Sequence, residues 1–259
     1  MAKRLTNAQQ KFYARLRREK KVRDKERLFL AEGLRVAREL FSASPNSLVA
    51  LIQREGFSAP DIAPERTFLA SEKQFASLCD VENPQGVIGV FEQPTLSPTA
   101  LFSNFSQKQS AIAFALDDLQ DPGNLGSIIR SAAWFELDAL IASAGTADFF
   151  NPKVVRSTAG SLFALALYRS DNLVADLRRL KEMGFAIYGA TTDGEDYLKT
   201  RFAAKSVVVI GNEANGISDG VLATLDAKVR IGGNPRRVES LNAAVSAGIL
   251  MAKIKERNA

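Results

Sequence analysis

Short apolar runs alternate with amphipathic stretches along most of this chain, and the alternation changes character near residue 94. Before that point, residues 27–31, 48–53, 66–70 and 86–91 read as strands. Residues 34–41 and the stretch that Ser71 caps, through Leu78, read as helices. From residue 110 the pattern strengthens. Residues 110–116, 139–143, 165–168, 185–190, 206–210 and 227–231 read as strands, and 127–135, 152–161, 172–183, 218–225 and 238–255 as helices. Near-continuous apolar strands between amphipathic helices predict a mostly parallel sheet covered on both faces. Between the two regions, Gln93-Pro94-Thr95-Leu96-Ser97-Pro98-Thr99 is the best domain boundary. The expected organisation is a basic arm over 1–27, a small α/β domain over 28–93, a linker over 94–109 and a larger α/β domain over 110–259.

Composition places this pattern in a folded chain, since 46% hydrophobic and 24% charged residues suit a globular protein rather than a disordered one. The longest apolar runs, such as 206–210 and 162–167, are far too short to cross a bilayer. No apolar stretch follows the basic start to serve as a signal-peptide core. Glu19, Asp24 and Glu26, with few serines, argue against an organellar transit peptide, so a cytoplasmic protein is expected. The single cysteine, Cys79, excludes an internal disulfide and a cysteine-based metal cluster. The chain has no histidine, so no zinc site is expected and a histidine general base is impossible.

Charge is concentrated at one end. Residues 1–27 hold eleven Lys or Arg against three acids, a net +8, which leaves −3 for the rest of a chain whose total is +5. A dense cationic segment suits a phosphate backbone, because each neutralised phosphate releases counterions. It also suits a solvated tail. The interleaved Phe12, Tyr13 and Leu16 favour an amphipathic helix that packs on something.

Three segments that follow strands of the larger domain gather glycine, asparagine and acids, where open α/β sheets bind ligands. The first, Asp117 to Arg130, turns at Pro122-Gly123 and is expected to open a helix near Gly126-Ser127, with Arg130 one turn inside and able to face the same pocket. It lacks the glycine fingerprint of a dinucleotide fold and the Gly-Lys-Ser/Thr of a P-loop. Read alone, it is equally a tight turn with Arg130 as a surface charge. The second, Gly211-Asn212-Glu213-Ala214-Asn215-Gly216, sets an acid between two glycines at the top of a buried strand, a position that favours a functional or pairing carboxylate. The third, Ile231 to Val245, runs from a glycine-rich loop into a small-residue helix, and Ser240 and Asn242 there serve as helix caps or as functional groups.

Together these segments resemble the SpoU (TrmH-type) branch of the SPOUT RNA methyltransferases. Asn124, Gly126 and Arg130 match its first signature, Gly211, Glu213 and Gly216 its second, and Ser240, Leu241 and Asn242 its third, in the right order and separation. The match spans about residues 110–257, and Phe29-Leu30-Ala31-Glu32-Gly33 resembles the start of the substrate-binding domain that precedes it in many members. Three features depart from the pattern, one of them Ala243-Ala244-Val245 after Asn242, where a Val-Ser or Val-Ala pair is commoner. Gly232 stands where proline is usual, and the loop before Ser240 is longer, with Arg236 and Arg237 in the added region.

The resemblance implies a trefoil-knotted, mostly parallel sheet covered by helices, preceded by a small α/β substrate-binding domain. It implies binding of S-adenosylmethionine around Gly211, Ile231 and Leu241, with Thr191 joining them, and no metal. The reaction it implies is transfer of a methyl group to a ribose 2′-hydroxyl of ribosomal or transfer RNA, by a homodimer. Carried over by position, Asn124, Arg130, Glu213, Ser240 and Asn242 form the catalytic set. A guanidinium is not deprotonated in proteins, so Arg130 is read as a cation that stabilises the developing alkoxide and grips the adjacent phosphate. The alternatives are a base N-methyltransferase of the same superfamily and a catalytically silent RNA-binding protein on this scaffold. A Rossmann-type oxidoreductase is disfavoured by the missing fingerprint.

Overall fold

The computed structural model describes residues 3–57, 62–81, 84–94, 96–234, 236–238 and 240–256. Thr95 of the expected linker, and Pro235 and Glu239 of the third loop, lie outside the described residues. The chain forms two compact units, Met1–Pro94 with Asp148–Phe163, and Thr95–Ala147 with Ala164–Ala259.

In the first unit, β1 (Lys3–Arg4), β2 (Leu28–Glu32), β3 (Leu48–Arg54), β4 (Thr67–Ala70) and β5 (Val87–Glu92) form a five-stranded sheet in the order β1-β4-β3-β5-β2. β4 runs parallel to β1 and β3, and β5 runs antiparallel to β2 and β3. The helices are α1 (Asn7–Arg18), α2 (Lys20–Glu26), α3 (Leu34–Ala43) and α4 (Glu72–Leu78). Thr6 with Gln9, and Ser71 with Gln74, make reciprocal caps that satisfy the first amides of α1 and α4.

The basic arm is built into this unit. Leu5, Tyr13, Leu16 and Val22 lie in one core with Leu30, Ile52, Phe75 and Val90. Burying such side chains contributes about 1.5–3 kcal/mol each, so the segment is held by its own apolar face. Arg23 belongs to that interior. Only 3% exposed, it pairs with the Asp148 carboxylate at 2.8 Å and donates to the carbonyls of Leu16 and Arg17 at 2.9 Å. The partner Asp148 precedes the short helix α7 (Pro152–Ser157), whose Arg156 meets Glu32 at 3.4 Å and Asp80 at 2.9 Å. Phe29, Phe91, Phe150 and Phe163 form an aromatic cluster in which Phe29 stacks on Phe91 and Phe163 meets both edge-on.

The second unit is a six-stranded, all-parallel sheet. Its strands are β6 (Ala111–Leu116), β7 (Ala139–Ala142), β8 (Ala166–Arg169), β9 (Ala186–Asp196), β10 (Lys205–Ile210) and β11 (Ala227–Arg230), in the order β11-β9-β10-β6-β7-β8. Alternate residues of the central strands feed the two faces. Ala113, Ala115, Val207 and Val209 pack with Leu101, Phe105, Leu177 and Leu180, from α5 (Pro98–Ser106) and α8 (Leu173–Glu182). Ile112, Phe114 and Val208 point the other way and are also fully or nearly fully buried. α6 (Pro122–Trp134) packs against α10 (Ala243–Glu256), and α9 (Asp219–Leu222) is a single turn.

Several elements differ from the sequence reading. Within the segment read as a linker, Pro98–Ser106 is a helix, because Ser97 caps it, Pro98 takes the first-turn position and Leu101, Phe102 and Phe105 reach the core. α6 begins at Pro122 instead of near Gly126, since the Asp121 side chain accepts the Asn124 amide and makes Pro122-Gly123 the first turn. β9 continues from the expected end at Ala190 to Asp196, where β11 pairs with it across a register shift at Lys228/Val229. The last helix starts at Ala243, five residues later than expected, because Asn242 occupies its cap and accepts the amides of Ala244 at 2.9 Å and Val245 at 3.2 Å.

Candidate active site

The chain leaves β6 for β7 on one side of the sheet and later returns as β10 on the other, so β6 and β10 are neighbours with a switch of direction between them. Loops at the carboxyl ends of such strands diverge and leave a crevice. Leu116 is in register with Ile210 at that end, which brings the first two signature segments side by side.

The second segment is a closed loop. Asn212 and Gly216 exchange backbone hydrogen bonds of 2.9 Å, and the Asn212 side chain accepts the amides of Ala214 and Asn215 at 2.9 and 3.0 Å. Two glycines make this closure possible. Gly216 adopts φ +70°, and a Cβ on Gly211 would lie 2.3 Å from the Gly216 carbonyl carbon. The Asn212 amide group donates to the Asp118 carbonyl at 2.8 Å, and the Asp117 carboxylate accepts the Ser218 amide at 2.8 Å. The loops after β6 and β10 are thereby locked together.

Glu213 stands at the apex of this loop and faces the start of α6. Its carboxylate accepts the Asn124 side-chain amide at 2.9 Å and, at 3.4 Å, the backbone amides of Gln120 and Asp121. Partial burial opposes ionisation of Glu213, but the hydrogen bonds from Asn124 and the backbone outweigh it and hold the carboxyl below its ordinary value. Such a group is an acceptor at neutral pH and a poor proton abstractor. The Asn242 side chain in turn donates to the Asn124 side-chain oxygen at 2.9 Å. One residue from each signature segment thus enters a single line, Glu213–Asn124–Asn242.

Arg130 and Ser240 do not join that line. Both are exposed, and among the described residues neither side chain has a hydrogen bond or ion pair. Because α6 opens at Pro122, Arg130 lies more than two turns along it. Six residues separate it from Asn124, which at about 100° per residue puts it about 120° round the helix from that side chain. Arg130 shares its face instead with exposed Ser127 and with Trp134, which is 81% exposed. Arg130 thus lies off the face of α6 that carries Asn124.

The residues expected to hold the cofactor lie at the same end of the sheet. Gly211 follows β10, Ile231 follows β11, and Leu241 stands 48% exposed one residue before Asn242. Thr191 is inside the longer β9 rather than at its end. Nothing lies within 4 Å of the place a Cβ on Gly233 would take, and at Gly232 only Asp196 Oδ2 does, at 3.8 Å. The backbone of that loop is open to a ligand. Among the described residues no group of three His, Cys, Asp or Glu side chains is placed to hold a metal ion.

Asn212 and Asn234 went unnoticed in the sequence reading. Both fold their own loops, Asn234 by accepting the Arg236 amide at 3.1 Å. Their signal was asparagine two residues before an otherwise unsatisfied turn amide.

A two-sided parallel α/β sheet with three tied loops at its switch point defines a domain that binds a ligand beyond the carboxyl ends of its strands. Comparison with known proteins narrows this. The SpoU rRNA Methylase family matches residues 111–252, and the MRM3-like substrate binding domain matches residues 7–89. The chain is 31% identical over 244 residues to the 23S rRNA (guanosine(2553)-2′-O)-methyltransferase RlmP of Bacillus subtilis, covering 91% of this chain and 92% of that one. Among solved structures it resembles an AdoMet-bound rRNA methyltransferase from Sinorhizobium meliloti, with a TM-score of 0.84, 30% identity and coverage of 99% and 97% of the two chains. It also resembles a putative RNA methyltransferase of the TrmH family from Porphyromonas gingivalis, with a TM-score of 0.82, 29% identity and coverage of 98% and 99%. The chain belongs to the SpoU rRNA methylase family.

Proposed function

We propose that this protein transfers a methyl group from S-adenosylmethionine to a ribose 2′-hydroxyl of ribosomal or transfer RNA. The observation that carries this is the Glu213–Asn124–Asn242 line, which ties the three family signatures into one constellation at the switch point. A relative named for 23S rRNA 2′-O-methylation and a neighbour solved with AdoMet support it. Incubation with S-adenosylmethionine and RNA, followed by nucleoside analysis, tests it.

The chain's residues suit the cofactor. Adenosine needs backbone donors and acceptors beside apolar walls, and the bare Gly232-Gly233 backbone, Ile231 and exposed Leu241 provide both, with Gly211 and Thr191 completing the surround. When bound, the sulfonium supplies an electrophilic methyl group, and no metal takes part.

Asn124, Glu213, Ser240 and Asn242 orient the ribose and the cofactor loop. Glu213 stays ionised and fixes Asn124, rather than removing the hydroxyl proton. Arg130 grips the phosphate next to the target ribose and stabilises the alkoxide as it develops. Its outward direction, on a face shared with Trp134, supports a site completed by a second copy of the chain. Leu241 and Val245, 48% and 50% exposed, add apolar surface beside α6, on which α10 packs, as a homodimer interface needs. The trefoil knot, the expected domain boundaries and a cytoplasmic location belong to the same reading. Among the described residues no helix is long and apolar enough to cross a membrane.

A further inference from the structure

The continuation of β9 past Ala190 carries Asp193, Glu195 and Asp196, and their surroundings differ. Asp193 pairs with the Lys228 ammonium at 2.8 Å, and Glu195 is exposed. Asp196 is half-buried, and the pairing of β9 with β11 sets it in register with Arg230. That register brings it beside Ile231 and Gly232, where the chain leaves β11 for the glycine-rich loop.

The two oxygens of the Asp196 carboxylate have separate surroundings. Oδ1 accepts the Leu198 amide at 2.9 Å, and the Asp196 carbonyl accepts the Lys199 and Thr200 amides, so the residue forms the turn that ends β9. An aspartate pinned to its own turn through one oxygen has the other held in direction. Among the described residues Oδ2 makes no hydrogen bond or ion pair, and the neighbouring Arg230 donates instead to the Gly194 carbonyl at 3.3 Å. Oδ2 lies across the bare Gly232, 3.8 Å from the place a Cβ would take there, and the place beside Gly233 is open.

An acceptor held over open backbone suits a ligand that brings its own donors. The adenosyl group has them in its two ribose hydroxyls. Dinucleotide folds hold a ribose hydroxyl in the same way, with one acid near a glycine-rich loop at the end of a parallel strand. An anionic ligand would be repelled from this place. The turn itself needs only Oδ1, so it leaves the direction of Oδ2 unexplained.

We infer that Asp196 is a specificity residue for the cofactor, its Oδ2 accepting a ribose hydroxyl of S-adenosylmethionine. The inference rests on the reading of the chain as an S-adenosylmethionine-dependent enzyme. To Gly211, Ile231, Leu241 and Thr191 it adds a side chain that recognises the sugar.

The test is calorimetric binding of S-adenosylhomocysteine and its 2′-deoxy and 3′-deoxy analogues to the full-length protein and to Asp196→Asn. Asparagine keeps an oxygen for the Leu198 amide and puts a donor where Oδ2 stood. The Kd of Asp196→Asn for S-adenosylhomocysteine rises about tenfold or more, as expected for losing a hydrogen bond to a charged group. One of the two deoxy analogues binds both proteins with nearly equal affinity, because it lacks the hydroxyl that Asp196 accepts. Unchanged affinity for S-adenosylhomocysteine in Asp196→Asn overturns the inference and leaves the cofactor reading standing. An equal loss for all three ligands traces the effect to the shape of the loop and also overturns it. So does an equal loss in Glu195→Gln, which removes the adjacent exposed charge and tests net charge alone. A wild-type protein that binds none of the three ligands removes the cofactor reading itself.

Discussion

Asn124 and Asn242 stand 118 positions apart, yet the Asn242 side chain donates a 2.9 Å hydrogen bond to the Asn124 oxygen, while Asn124 donates a 2.9 Å bond to Glu213. Asn124 is thus the middle of the line, and its removal breaks both links. Asn124→Ala should lower stability by about 1 kcal/mol, because each bond is partly exposed and worth little on its own. Single-turnover methyl transfer should fall about tenfold or more, the equivalent of about 1.4 kcal/mol in the barrier. A double-mutant cycle of Asn124→Ala with Asn242→Ala should show coupling of about 0.5 kcal/mol or more in transfer. Strict additivity would mean that the two asparagines act independently.

Arg130 carries the chemistry in this account without touching that line. Arg130→Ala should fold and bind S-adenosylmethionine normally, and lose about 10²–10³ in single-turnover rate, as expected for one preorganised charge-stabilising donor. Arg130→Lys should recover little, because an ammonium cannot make the forked contact with phosphate and hydroxyl together. Wild-type turnover in the alanine variant would remove Arg130 from the mechanism.

Glu213 has a pH signature with a defined sign. Burial opposes its ionisation, and the donors around it nevertheless hold its carboxyl below the ordinary value. A carboxylate depressed in the folded state stabilises the protein above its unfolded pKa of about 4.3, and that contribution fades as pH falls through the lower folded value. Thermal melts should therefore show a larger loss of Tm below about pH 4 for the wild type than for Glu213→Gln. Between about pH 6 and 8 the rate profiles of the two should run parallel, because Glu213 does not titrate there. An inflection near neutrality that disappears in Glu213→Gln would restore it as a base.

Much of the architecture was legible in the amino-acid pattern, and the exceptions have physical causes. The strands of the second unit announce themselves because both faces are covered and their residues are almost uniformly apolar, as in Ser206–Ile210 within β10. β9 beyond Ala190 does not, because Thr192, Asp193 and Glu195 are exposed polar residues, held as strand by pairing with β11. The helix α5 and the first turns of α6 were hidden by proline, which marks a break inside a helix and a favourable first turn at its start. Arg23 counted as one more cation, since only the fold brings Asp148 to it across 125 positions. The candidate site was legible through its three signatures, but the order in which they join, with Asn124 central and Arg130 turned away, depends on where α6 begins.

The burial of Arg23 makes a stability prediction independent of any reaction. Arg23→Ala leaves the Asp148 carboxylate in the core without its partner and should cost about 3–5 kcal/mol by chemical denaturation. Arg23→Met with Asp148→Leu should recover part of that loss. The recovery is incomplete, because the Leu16 and Arg17 carbonyls lose their donor. A cost under about 1 kcal/mol for Arg23→Ala would place the pair in the class of solvent-screened surface bridges.

The central claim is the chemistry itself, and nucleoside analysis reaches it most directly. RNA from a strain lacking this protein, incubated with the purified enzyme and S-adenosylmethionine bearing a deuterated methyl group, is digested to nucleosides and analysed by mass spectrometry. The account predicts that the label appears in one nucleoside, stays with the ribose fragment when the glycosidic bond breaks, and persists when EDTA is present throughout. Label carried by the base fragment, or no label in RNA that the enzyme binds, would contradict it.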